Sequence, residues 1–409
     1  MSTPSEYDVS AIRTRFPALT GEVAFFDGPG GSQVPAAVAE AVGTAMVSPV
    51  SNRGTVTASE RRADELVTGA RAAVGDLLGA DPGGVVFGRS MTQLTYDFAR
   101  ALAKRWRPGD EVVVTRLDHD ANIRPWVQAA EAAGATVRWA GFDPRAGVLT
   151  VRDVVEQLSA RTRLVAVTAA ANLLGTRPDI PAVAEAVHAA GALLYVDGVH
   201  YTPHSTVDVQ EIGADFFACS PYKFLGPHLG AVAADPALLR SLRPDKLLPS
   251  SDTVPERFEL GTLPYELLAG TAAAVDFLAE LAAGTGNRRE RLVRSMAALR
   301  VHEDELLARA EEGLAAVPDV VLHGDPGRAR TPTLLFTVDG LSPRAVYERL
   351  ALSGVNAPAG HFYALECARW LGLGDAGGVR AGIAPYTDES DVDRLVAAVG
   401  EIAAAGGRS

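Results

Sequence analysis

The chain has 409 residues, 47% of them hydrophobic, and a formal net charge of −12. That length supports two or three core-forming domains, and the charge, with no offsetting cluster of Lys or Arg, disfavours nucleic acid or an anionic membrane surface as a partner. Two cysteines, Cys219 and Cys367, are too few for a disulfide framework and fit a reducing cytoplasm.

The N-terminal stretch MSTPSEYDVSAIRTRFPAL is polar and mixed in charge, without the apolar core of a signal peptide. No apolar run reaches the ~18 residues of a membrane span. Residues 1–22 read as a short helix and an arm that packs with the C-terminal domain. From about residue 60 to 260, apolar strands alternate with amphipathic helices. The strands expected are Gly84–Gly88, Glu111–Thr115, Thr136–Ala140, Leu164–Thr168, Leu193–Val196, Asp215–Cys219 and Gly230–Ala233. Helical patterns at Thr92–Trp106, Ile123–Ala133 and Pro181–Ala190 lie between them. Such alternation predicts a mostly parallel, seven-stranded sheet covered on both faces. The last strand follows Lys223 too closely for a crossover helix, so it is expected to run antiparallel.

Pro244–Pro255 reads as a polar inter-domain loop and a candidate gate. A long helix begins near Pro264 and another covers about Asn287–Val317. The pattern then changes to strands at Val320–His323, Thr333–Asp339 and Gly378–Ala384, with helices at Pro343–Ser353 and Glu389–Ala404. The expected organisation is an α/β domain over residues 23–263, then a linking helix and a smaller α+β domain over 264–409. No internal repeat is visible, and no metal site is expected.

Lys223 is one of only three lysines, with Lys104 and Lys246. It follows the apolar run Phe216-Phe217-Ala218-Cys219 and a Ser-Pro break, at the carboxyl end of a strand, where α/β proteins place ligands. A lysine there can lose its proton and condense with a carbonyl compound, as pyridoxal 5'-phosphate requires. The alternative is a lysine that neutralises a nearby acid. Asp197 closes the strand Leu193-Leu194-Tyr195-Val196, where a poorly solvated carboxylate needs a cation such as a protonated pyridine nitrogen. It could equally cap a helix or ligate a metal. Together the two residues are more specific than either alone.

Six further residues, in four places, carry weaker signals. His119 follows the strand Glu111–Thr115 and is a candidate to cover the pyridine face and relay protons, or a solvated loop histidine. Asn172 offers an amide donor to the cofactor's phenolic oxygen, or forms a turn. Ser90, Met91 and Thr92 run from a strand into a helix, where free N–H groups and hydroxyls suit a phosphate, or simply cap the helix. Arg380, among small residues on a late strand, suits a bidentate grip on an amino-acid carboxylate, or a structural ion pair.

Taken together these motifs resemble the class V aminotransferase family of fold type I pyridoxal phosphate enzymes, in its cysteine desulfurase and selenocysteine lyase branch. The segment Phe26-Asp27-Gly28-Pro29-Gly30-Gly31-Ser32-Gln33-Val34-Pro35 is similar to that family's opening loop. His119-Asp120-Ala121-Asn122-Ile123-Arg124-Pro125-Trp126 is similar to its His-x-Ala-Asn-x-x-x-Trp segment. Val196-Asp197-Gly198-Val199-His200 resembles the segment of the pyridinium partner, with His200 where the family usually has Gln. Ser220-Pro221-Tyr222-Lys223 resembles Ser-x-His-Lys, with Tyr222 in the His position. Arg257-Phe258-Glu259-Leu260-Gly261-Thr262 is close to Arg-Phe-Glu-x-Gly-Thr, and implies a phosphate contact by Thr262 across a homodimer interface.

The departure lies after Gly360-His361. Desulfurases carry a nucleophilic cysteine there; this chain has Phe362-Tyr363-Ala364-Leu365-Glu366-Cys367, with Tyr363 at the acceptor position. Cys367 reads as part of a helix, Ala364–Leu371, packed as a small apolar residue. The resemblance is therefore to a subgroup lacking the usual catalytic cysteine. It implies pyridoxal phosphate held by Lys223, Asp197, His119, Asn172, His200, Ser90, Met91, Thr92, Ser220, Tyr222 and Thr262. An amino-acid substrate would meet Arg380, His361, Asn172 and Arg124, with Tyr363 as a candidate general acid. The first expectation is a C–S lyase acting on a cysteine-derived amino acid. Epimerisation, transamination and a non-catalytic sulfur-relay or regulatory role are the alternatives.

Overall fold

The structure, a computed structural model, describes residues 7–406. The first six residues of the expected N-terminal arm lie outside the described residues. After β1 (Ala24–Phe25), seven strands form the main sheet: β2 (Val85–Gly88), β3 (Glu111–Thr115), β4 (Thr136–Ala140), β5 (Thr162–Thr168), β6 (Leu193–Asp197), β7 (Phe216–Cys219) and β8 (Gly230–Ala234). Their order across the sheet is β2-β8-β7-β6-β5-β3-β4. Strands β3 to β7 pair in parallel, and β8 runs antiparallel to both β2 and β7. The sequences explain the layers. Val112, Val113 and Val114 in β3 and all of β7 are buried, as expected for strands covered by helices on both faces.

Registers align the strand ends. Thr168 of β5 stands opposite Asp197 of β6, and Asp197 opposite Ala218 of β7. The carboxyl ends of β2, β3, β5, β6 and β7 therefore open along one edge, each into a short loop.

A second sheet follows, with β9 (Val320–His323), β10 (Thr333–Val338), β12 (Ala359–Gly360) and β13 (Gly378–Gly382) in the order β12-β13-β10-β9. The remaining strand, β11 (Val355–Asn356), pairs in parallel with β1. Ala24 and Phe26 pack in one cluster with Leu334, Phe336 and Val379. Conversely the helix Tyr265–Leu278 packs on the helices Ala36–Val47 and Ala58–Leu78, and its Phe277 and Leu278 join the larger core. The helix Arg288–Ala315 straddles both cores: Leu292 and Met296 lie in one, Leu306 and Leu314 in the other. The N-terminal arm joins both parts, with Ile12 and Phe16 in the larger core and Arg13 paired to Asp391 at 2.6 Å.

A buried ion pair ties the motif around Glu259 to the first sheet strand. Arg71 Nη1 and Nη2 each donate to Glu259 at 2.9 Å, and the N–H of Phe87 in β2 donates to the same carboxylate at 2.9 Å. Among the described residues no helix is long and apolar enough to cross a membrane.

Candidate active site

The loops at the strand ends enclose a cavity of about 660 Å³, closed on its far side by residues around β13 and by the turn at Phe362. Of the residues singled out from sequence, Lys223, Asp197, His119, Asn172 and Arg380 all line it, as do Ser90, Met91, Thr92, His200, Ser220, Tyr222, Arg124 and Tyr363. Two do not. Thr262 is exposed away from the cavity, and His361 turns its Nδ1 back to accept the N–H of Tyr363 at 3.1 Å. No residue of the Pro244–Pro255 loop lines the cavity either; Lys246 there donates to Ser250 O at 2.8 Å.

Lys223 sits on a single 3-10 turn, Pro221–Lys223, that follows β7 directly. Its Nζ donates to the Pro29 carbonyl and stands 4.9 Å from the centre of the Tyr222 ring. Burial, aided by the Arg380 cation, pulls its pKa from 10.5 down to about 7, against the opposing field of Asp197. The amine is thus available as a free base near neutrality.

Asp197 ends β6 and is 4% exposed. Its Oδ1 accepts the N–H of Val199 at 2.9 Å, yet burial lifts the carboxyl to about 6 despite that bond and the Lys223 charge. A carboxylate this short of positive partners suits a cationic group in the cavity.

His119 accepts the N–H of Ala121 on Nδ1 at 3.0 Å, which puts its proton on Nε2. Burial and the cations Lys223 and Arg380 bring it down to about 4, so the ring is neutral. It packs 5.5 Å from the Tyr363 ring, centre to centre. Beneath it, buried Asp118 bonds Thr115 and accepts from Asn122 Nδ2 at 2.7 Å, and Trp126 Nε1 donates to Asn122 Oδ1 at 3.0 Å. These bonds fix the loop that carries the histidine.

Ser90 caps the helix Met91–Ala103, accepting the N–H of Gln93 at 3.1 Å. Ser90 thus caps the helix, and Met91 and Thr92 of its first turn line the cavity with it. His200 is fully enclosed apart from the cavity, and its Nε2 lies 2.9 Å from Thr333 Oγ1. Behind it stands a pair no sequence pattern flagged: His204 and the buried Glu303, 2.9 Å apart. Tyr222 stacks on His228 at 4.8 Å.

Asn172 is tied to the far side of the cavity. Its amide nitrogen donates to the Phe362 carbonyl at 3.0 Å, its backbone carbonyl accepts Arg380 Nη1 at 2.9 Å, and its Oδ1 is buried without a partner. Arg380, on β13 and 2% exposed, likewise has an unpartnered Nε. Unpaired buried donors and acceptors of this kind are rare and mark places where a ligand completes the bonding. The cavity therefore presents a nucleophilic amine, a buried carboxylate, helix N–H groups and a guanidinium edge. That set fits a group with an aldehyde, a basic ring nitrogen and a phosphate.

At the mouth, Arg124 is neutralised by Asp120 at 2.9 Å and by Glu366 at 2.6 Å, and Glu366 also binds Arg116 at 3.0 Å. Tyr363 is 71% exposed there. Both cysteines are free and fully buried. Cys367 lies inside the helix Leu365–Trp370, its thiol pushed up by burial and by Asp118.

A protein-family model described as aminotransferase class-V matches residues 24–395. Uncharacterized protein MT3887 of Mycobacterium tuberculosis (strain CDC 1551 / Oshkosh) is 37% identical over 401 residues, 97% of this chain and 99% of that protein. Aminotransferase-like protein FGM3 of Gibberella zeae is 33% identical, covering 97% of this chain and 98% of the relative. Among solved structures, the cysteine desulfurase CsdA (S-sulfonic acid) from Escherichia coli superposes with a TM-score of 0.85 at 27% identity, covering 97% of this chain and 98% of that one.

Proposed function

The chain belongs to the aminotransferase class-V family and uses that family's cofactor, pyridoxal 5'-phosphate, and on that premise we propose that it cleaves a C–S bond at Cβ of a cysteine-derived amino acid. One arrangement carries the reading. A lysine held near neutrality and a buried, under-compensated carboxylate stand at adjacent strand ends in one cavity.

In this reading Lys223 would hold the aldehyde and Asp197 the ring nitrogen, which would bring the counter-charge that burial denies the carboxylate. Met91 and Thr92, at the start of their helix, hold the phosphate with Ser90; Thr262 serves from the partner of a homodimer. His119 covers one ring face as a neutral imidazole, and Ser220, Tyr222, His200 and Asn172 border the ring. When bound, the pyridoxal ring supplies an electron sink for the charge left at the substrate's Cα.

Arg380 grips the substrate carboxylate. Lys223 would take the Cα proton as a free amine, the form that burial and Arg380 favour near neutral pH. Tyr363, at the mouth, donates a proton to the departing sulfur. Because Cys219 and Cys367 are fully buried, no protein thiol receives that sulfur, which leaves on a small molecule. With one water consumed, the carbon skeleton leaves as pyruvate and the nitrogen as ammonia. With both cysteines unpaired, we place the enzyme in a reducing cytoplasm.

Transamination is the second reading, favoured by the relative named aminotransferase-like. One experiment separates them. Protein loaded with pyridoxal phosphate is scanned for visible absorbance against a panel of amino acids, with product analysis. Pyruvate and a released thiol support elimination. A keto acid with the pyridoxamine form supports transamination. No spectral response to any amino acid leaves a binding module, and failure of borohydride to fix the cofactor on Lys223 removes the whole reading.

A further inference from the structure

The turn that faces Arg380 has an unusual backbone. Phe362 and Tyr363 have φ of 48° and 60°, consecutive residues in the left-handed region without a glycine or asparagine between them. Strained conformations of this kind persist only where the surroundings hold them. Here the holding contacts are specific. Asn172 Nδ2 donates to Phe362 O at 3.0 Å, Asp120 N to Tyr363 O at 2.8 Å, and Ala364 N to His361 O at 2.7 Å.

The result of that turn is a stack. The Phe362 ring lies on the Arg380 guanidinium, 3.8 Å from Cζ to the ring centre. Asn172 fixes both members, since its backbone carbonyl also accepts Arg380 Nη1 at 2.9 Å. One face of the guanidinium is therefore covered by an aromatic ring and one of its terminal nitrogens is engaged. Nε has no partner, and Nη2 makes no hydrogen bond among the described residues. What Arg380 still offers is its in-plane Nε–Nη2 edge, the side-on fork that matches the two oxygens of a carboxylate. An aromatic face does not compete for these in-plane donors; it excludes water and favours the charged form.

We propose that Phe362 is a specificity-determining positioning residue: laid over Arg380 by the left-handed turn, it confines the guanidinium to a side-on grip and makes an α-carboxylate the required handle of the substrate. The site then takes α-amino acids and discriminates against the matching amines. This rests on the pyridoxal phosphate reading above.

The test uses the enzyme loaded with pyridoxal phosphate and two probes, S-methyl-L-cysteine and 2-(methylthio)ethylamine, which differ by the carboxylate. Apparent Kd from visible absorbance, and KM and kcat where turnover occurs, are measured for wild type, Phe362→Leu and Phe362→Tyr. Leucine keeps bulk and removes the ring; tyrosine keeps the ring. Phe362→Leu should weaken the amino acid about tenfold, in Kd and KM more than in kcat, and leave the amine within about twofold. Phe362→Tyr should restore the wild-type ratio. An unchanged ratio in Phe362→Leu, equal weakening of both probes, or failure of Phe362→Tyr to restore the ratio overturns the proposal. A wild type that takes up no cofactor overturns the underlying reading instead, and is recognised by the missing visible band before either probe is added.

Discussion

Lys223 should titrate near pH 7 in the cofactor-free protein, and this can be read directly. Its pKa falls from 10.5 to about 7, first through burial, then through Arg380, with Asp197 opposing. A displacement of roughly 3.5 units corresponds to about 5 kcal/mol against the ammonium form, an upper bound because solvent reaches part of the side chain. At pH 7 about half of the amine is free, against roughly one part in 3,000 for an ordinary lysine. The sign for stability follows. Between about 7 and 10.5 the unfolded chain binds the proton and the folded chain does not, so raising the pH across that window stabilises the cofactor-free protein. Reductive methylation with ¹³C-formaldehyde followed by NMR titration reads the amines one by one, and three lysines keep the spectrum resolvable. The signal that Lys223→Met removes should titrate near 7. Arg380→Gln should move the low one upward, and Asp197→Asn should move it further down. A Lys223 signal that titrates above pH 9, or a downward shift in Arg380→Gln, would refute the electrostatic argument for Lys223.

Three other outcomes are expected. Tyr363→Phe should lower kcat about 10²-fold on a substrate with a poor leaving group, and unaltered turnover would remove the phenol from the mechanism. A Cβ on Gly230 would lie 2.2 Å from the Ser90 carbonyl carbon and 2.3 Å from the Met91 nitrogen. Gly230→Ala should therefore displace the start of that helix and weaken pyridoxal phosphate at least about tenfold by equilibrium dialysis, and wild-type affinity would mean the phosphate is held elsewhere. Glu259→Ala leaves the buried Arg71 guanidinium only Glu256 at 3.4 Å and the Val85 carbonyl, takes the acceptor from the Phe87 N–H, and should cost about 3 kcal/mol in urea unfolding; a loss below about 1 kcal/mol would show the site relaxes to admit water.

The sequence carried the main sheet because its strands are short, continuous apolar runs such as Glu111–Thr115 and Phe216–Cys219, each followed by polar or Gly/Pro punctuation. It carried Lys223 and Asp197 for the same reason: each ends such a run. The antiparallel β8 was legible from the shortness of the connection after Lys223. The helices Ala36–Val47 and Ala58–Leu78 were not anticipated. The first is nearly uniform in small apolar residues and gives no polar face to read. Contacts that depend on tertiary approach were also hidden. Nothing in the string around His204 points to Glu303, 99 residues away, and nothing in Asn172 announces that its amide holds the Phe362 carbonyl. The left-handed turn escaped because positive φ is signalled by Gly or Asn, and Phe362 and Tyr363 are neither.

That turn also bears on where the sulfur goes. A thiol that accepts sulfur must reach the substrate and ionise. Cys219 ends β7 with no exposed area, its pKa pushed up to about 12 by burial and Asp197. Cys367 is equally enclosed, and its helix is held to the main sheet side at two points: Glu366 bridges Arg116 and Arg124, and Trp370 Nε1 donates to Phe142 O at 2.8 Å. Bringing either thiol to the cavity would break a strand end or that helix. At the cavity mouth Tyr363 presents a phenol, which can give a proton but cannot form a persulfide. On the proposed C–S lyase reading the sulfur is released rather than relayed, and the turn that carries Tyr363 to the cavity mouth also sets Phe362 on Arg380. Chemistry and carboxylate selection are then two consequences of one backbone conformation.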